Sequence, residues 1–152
     1  MQVAIALLSA VLSMQGADVP SASAESAQWL HRGVQVGTTY YPVAIFVPAL
    51  PAPSEGYPVL LFLHGSGERG SDGEAQTRSG LGPYVRAHGA EFPAITVFPQ
   101  APLDSDWSGD QSAAALAAID LVEQEFPVDA DRIYLTGMSR GACGNTVMAK
   151  SV

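Results

Sequence analysis

The chain has 152 residues, enough for one ordinary domain and too few for two. With 47% hydrophobic and 14% charged residues the composition excludes intrinsic disorder, and a formal net charge of −8 leaves no general basic surface to displace counterions from nucleic acid. A nucleic-acid partner is therefore not expected, and the single cysteine, Cys143, excludes an internal disulfide and a Cys-rich metal site.

The first segment, Val3 to Leu12, is apolar but only ten residues long, about half of what a bilayer-spanning helix requires, so no stable membrane span is expected. That length suits the apolar core of a signal peptide, and Ala22-Ser23-Ala24 fits the small-x-small cleavage pattern. Residues 1–24 therefore read as a signal peptide, although Met1-Gln2 lacks the usual positive flank, and 25–152 as the mature part of an exported protein, periplasmic or extracellular.

Residues 34–47 alternate loosely and are rich in strand formers, which predicts two antiparallel strands, followed by a loop over 48–58. Val59 to Leu63 is a continuous apolar run, the pattern of a strand buried on both faces. Gly65 to Gly73 has four glycines in the first nine residues after His64 and no apolar side chain, so it is a surface loop. Mixed helical structure is expected over 74–88, where Gly80, Gly82 and Pro83 interrupt the pattern. Ala94 to Phe98 is a second buried-type strand. Ala115, Ile119, Val122 and Phe126 share one face of a helix over 112–126, which Pro127 ends. Asp131 to Thr136 gives a third strand, and a helix is expected from Gly141. Strands alternating with helices in this order predict an α/β fold, a mostly parallel sheet with flanking helices.

Gly137-Met138-Ser139-Arg140-Gly141 matches G-x-S-x-G, between a strand-like run and a potential helix. In such a turn the serine sits in a strained backbone conformation, and side chains two residues to either side would collide, so Gly137 and Gly141 are structural. Ser139 is the candidate nucleophile, and the backbone N–H of Arg140, at the start of a helix, could stabilise an oxyanion. The second candidate element is His64-Gly65-Ser66-Gly67, where Ser66 and then Gly65 are the expected N–H donors of the other half of an oxyanion hole. His64 itself is expected to brace the loop by hydrogen bonding.

These motifs in this order resemble the α/β-hydrolase fold. Leu61 to Gly70 (LFLHGSGERG), Val97 to Ala101, Trp107 and Asp131 to Ser139 (DRIYLTGMS) look like the predicted-peptidase, polyhydroxybutyrate-depolymerase or feruloyl-esterase-like serine hydrolases. The resemblance runs from about Tyr40 to Gly141. It implies hydrolysis of ester or related acyl bonds in a small-molecule or polymer substrate, with no cofactor. It departs from the family where Ala142 and Cys143 follow Gly141. In this fold the catalytic acid and histidine come after the serine. None of the thirteen residues after Ser139 is Asp, Glu or His, and His31, His64 and His88 all precede it. The chain is thus expected to hold the N-terminal portion of the fold, incomplete, and to be a weak or inactive hydrolase.

Four other readings arise. Gly65 to Gly70 also satisfies G-x-G-x-x-G, a dinucleotide-binding fingerprint that needs a helix to start inside the loop. Asp104, Asp106 and Asp110 fail the spacing of a calcium loop and are expected to feed the following helix, with Asp110 near its N-terminus. Cys143 is expected to be a small packed residue. A non-catalytic binding module on the same scaffold remains the principal functional alternative.

Overall fold

The computed structural model describes residues 26–148, with side chains over 26–144. The segment read as a signal peptide lies outside the described residues.

Five strands form one sheet: β1 (Gln28–Val36), β2 (Thr39–Val47), β3 (Tyr57–Leu63), β4 (Ile95–Pro99) and β5 (Val128–Gly137). Their order is β1-β2-β4-β3-β5. β1 and β2 form an antiparallel hairpin, and β2 runs antiparallel to β4. β3 lies parallel to both β4 and β5. The hairpin begins six residues earlier than the strand-forming pattern suggests, because the segment from Gln28 mixes polar residues into a half-exposed edge strand.

The helices are α1 (Leu81–His88), α2 (Asp110–Glu125) and α3 (Arg140–Met148), with short 3-10 turns at Ser66–Glu68 and Ala75–Thr77. The interruptions at Gly80 and Pro83 mark where α1 begins. Gly80 is its N-cap, and Pro83 sits in the first turn, where a missing N–H costs nothing because no intrahelical acceptor exists. Of the four residues expected on one face of α2, Ala115, Ile119 and Val122 are buried, while Phe126 ends the helix as an extended residue packed on the core rim.

The unbroken apolar runs resolve into two layers. Val43, Ile45, Val59, Leu61, Leu63, Ile95 and Val97 face α2, whereas Ala44, Phe46, Phe62 and Phe98 face α1. Each strand thus alternates, and both of its faces are buried. Trp29 closes the second layer, stacked on Phe98 at 5.5 Å between ring centroids, with the Arg86 guanidinium 4.1 Å from its own ring centre. A fully buried side chain of the Val, Ile or Phe type contributes about 1.5–3 kcal/mol, so this double layer fixes β3 and β4, and the partly buried Ile133 and Leu135 of β5 pack against its first layer.

Candidate active site

β5 ends at Gly137 and α3 starts at Arg140, so Met138 and Ser139 form the entire connection. Ser139 has φ +53, in the left-handed region, a conformation that costs a non-glycine residue about 1–3 kcal/mol. Close packing holds it there. A Cβ on Gly141 would stand 1.8 Å from the Leu63 carbonyl oxygen, and one on Gly137 would stand 2.7 Å from the same atom. The Met138 N–H donates to that oxygen at 3.1 Å, tying the turn to the end of β3.

The first turn of α3 is closed by N–H groups of Ala142 and Cys143, which donate to the Ser139 carbonyl at 3.1 and 3.3 Å. Arg140, as the first helical residue, has an N–H with no intrahelical acceptor, and its guanidinium turns away to pair with Asp106. The glycine loop lies directly beside the serine. A Cβ on Gly65 would be 3.3 Å from the Ser139 Cβ, and Ser66 opens the 3-10 turn immediately after. The structure therefore brings together Ser139, Arg140, Gly65 and Ser66.

His64 is 1% exposed and engaged through both ring nitrogens. The Ala101 N–H donates to Nε2 at 3.0 Å. Since Nε2 accepts, the ring proton lies on Nδ1, which donates to the Gly65 carbonyl at 2.6 Å. Burial pushes the imidazole pKa below its ordinary value, partly opposed by the Gly65 hydrogen bond and the Glu68 charge. Trp107 packs edge-on against this ring at 4.9 Å and donates its Nε1–H to the His64 carbonyl at 2.9 Å. His64 thus holds the loop, as its place after a buried strand suggests. His31 lies 3.5 Å from Glu74, and His88 stacks on Tyr84, so neither ring joins Ser139.

Gln100, just past β4, is a residue that motif reading misses. It is fully buried, accepts from the Gly73 N–H at 2.7 Å, and donates to the Glu68 carbonyl at 3.2 Å and Asp72 Oδ1 at 2.8 Å. Asp72 also accepts from the N–H groups of Glu74 and Ala75. The backbone donors of Ala75 and Glu74, with Gln100, lower its pKa to about 2. The polar residue directly after the strand-ending Pro99 is the available sequence signal. Arg69 adds a second tie, donating to the carbonyls of Ser66 and Ser105.

Beside the elbow, Asp106, Trp107, Ser108, Arg140, Cys143 and Gly144 line an open cleft of about 440 Å³. Cys143 is exposed there, contrary to the expectation of a packed small residue: the first turn of α3 presents it to the cleft instead of to β3. Asp110 is the first residue of α2, where its charge faces the positive end of the helix. The dinucleotide reading lacks its helix, since the loop holds only the three-residue turn at Ser66–Glu68. Among the described residues no helix is long and apolar enough to cross a membrane.

The fold is shared with solved esterases. A thermostable esterase superposes with a TM-score of 0.67 at 29% identity, over 80% of this chain and 36% of that one. A ferulic acid esterase gives 0.60 at 16% identity, over 83% and 54%. A thermostable esterase from Pseudomonas putida gives 0.59 at 21% identity, over 86% and 40%. The chain thus spans between about a third and just over half of the length of these structures, and its architecture is α/β-hydrolase-like. No family model and no curated protein matches the sequence.

Proposed function

We propose that this chain carries the nucleophile half of a serine hydrolase acting on ester or related acyl bonds of a small molecule or polymer. The observation that carries the reading is Ser139 at φ +53, wedged between glycines pressed on the Leu63 carbonyl and flanked by the Gly65 loop. The esterase likeness, at 29% identity in one case, supports the same class. In this reading Ser139 Oγ attacks the acyl carbon and the carbonyl π electrons move onto oxygen. The N–H groups of Arg140 and of Ser66 or Gly65 receive the resulting oxyanion. The Oγ proton must leave to a base, and His64 cannot take it, because Nε2 already accepts from Ala101 and Nδ1 carries the ring proton. Without a base that reaches Oγ, hydrolysis through Ser139 is slow. Export through residues 1–24 belongs to the same proposal, with Glu25 as the expected mature N-terminus.

A fluorophosphonate probe followed by peptide mapping tests the assignment. Slow labelling confined to Ser139 and abolished by Ser139→Ala is expected. Labelling that persists in Ser139→Ala overturns it, and ligand binding without any labelling favours the non-catalytic binding module.

A further inference from the structure

Glu68 places one carboxylate oxygen where no donor satisfies it. Its Oε2 is buried without a hydrogen-bond partner. An unpaired buried carboxylate oxygen costs several times what an ordinary surface hydrogen bond contributes, so a donor is called for. The position of Oε2 is fixed by Gly65: a Cβ there would be 3.2 Å from Glu68 Oε2 and 3.3 Å from Ser139 Cβ. The carboxylate oxygen and the serine side chain therefore both lie against Gly65, with no hydrogen bond joining them in this structure. Several neighbouring side-chain donors are committed elsewhere. Arg69 uses Nε on the Ser66 carbonyl and a terminal nitrogen on the Ser105 carbonyl, and the His64 ring proton goes to Gly65. Arg140 pairs with Asp106. The hydroxyl of Ser139, beside the same Gly65 position, is a donor that a side-chain rotation can bring to Oε2.

We propose that Glu68 is a positioning residue for Ser139, its Oε2 accepting the hydroxyl hydrogen and holding Oγ on the loop side of the elbow. The inference rests on Ser139 being the reacting residue, and adds that the glycine loop supplies a charged acceptor as well as backbone N–H groups. The hydrogen bond fixes the serine rotamer and increases the electron density on Oγ. The charged or titratable groups facing this pair are Arg69 in the same loop, His64 at the end of β3, and Arg140 with Asp106 across the elbow.

The test replaces the hydroxyl by a titratable reporter. In a Cys143→Ala background, Ser139→Cys places a thiol at the elbow, and the pH dependence of its alkylation by iodoacetamide gives its midpoint. A carboxylate within hydrogen-bonding reach opposes thiolate formation, so Glu68→Gln lowers the midpoint by about one pH unit or more, and Glu68→Asp gives an intermediate value. An unchanged midpoint in Glu68→Gln overturns the proposal; a purely structural loop role would alter the plateau rate and leave the midpoint in place. Should Glu68→Gln not fold, the protein with Glu68 intact still decides. A thiol at a helix N-terminus beside Arg140 falls well below the ordinary value of about 8.5 unless the carboxylate opposes it, so a strongly depressed midpoint there also overturns the proposal. Fluorophosphonate labelling of the unaltered chain reports separately on hydrolase chemistry. Its failure with a Glu68-dependent thiol midpoint would sink the hydrolase reading alone.

Discussion

The backbone of Gly141 rests against the carbonyl of Leu63 so closely that a methyl group on Gly141 would lie 1.8 Å from the oxygen and 2.5 Å from the carbon. The obstructing atoms belong to a strand paired on both sides, with no rotamer to change. Gly141→Ala is therefore expected to cost more than about 3 kcal/mol, through displacement of α3 from β3. Urea unfolding against the parent chain checks this, and a loss below 1 kcal/mol would contradict the packing described.

Ser139 behaves differently, because its difficulty is conformational. Ser139→Gly relieves the positive φ and is expected to raise stability by about 0.5–1 kcal/mol while ending probe labelling. Ser139→Ala also ends labelling but keeps the strain, so its melting temperature stays near that of the parent. Equal melting temperatures for the two variants would show that the turn is not strained.

His64 gives the stability a pH dependence. Its folded pKa is lowered by burial, so between that value and about 6.5 the unfolded chain binds more protons than the folded one. The stabilisation is complete above the unfolded pKa and declines as pH falls through and below it. The slope from this residue is at most about 1.4 kcal/mol per pH unit. Chemical denaturation between pH 7.5 and 5.5 should show the decline, and His64→Gln should lack that component.

Gln100→Ala removes three hydrogen bonds that span Glu68, Asp72 and Gly73. A loss of about 2–3 kcal/mol is expected, with faster amide exchange in residues 65–75 than elsewhere in the sheet. Asp72 loses one of the donors that hold its pKa near 2, so its titration moves upward in the variant, which carboxyl NMR shifts would reveal. Exchange that rises uniformly across the sheet would argue against this local bracing role.

The exposed Cys143 should react fully with a disulfide reagent in the native chain, without denaturant. Reaction only after unfolding would restore the packed position that its sequence context suggests.

Much of this architecture is legible in the residues. The apolar runs of β3 and β4 announce strands buried on both faces, and the step pattern of Ala115, Ile119 and Val122 announces the buried side of α2. Gly137 and Gly141 announce a turn whose crowding the Leu63 carbonyl supplies. The half-exposed start of β1 is harder to read, because an edge strand lacks a strong period, and Gly80 and Pro83 look like breaks when they mark a helix start. The role of Gln100 is set by hydrogen bonds to residues 27 to 32 positions away, which no local pattern encodes.

The strand order carries a consequence for how the chain acquires its structure. β3 is formed by residues 57–63, yet its two neighbours are β4 at 95–99 and β5 at 128–137. During synthesis the β1–β2 hairpin can close at once, while β3 waits unpaired for segments that emerge more than thirty and more than sixty residues later. The Leu63 carbonyl receives the Met138 N–H only when β5 docks, so the elbow cannot lock before β5 has emerged. Until β4 and then β5 pair with it, the five-residue run Val59-Leu-Leu-Phe-Leu63 is an open, strongly apolar strand at which a nascent chain is exposed to aggregation.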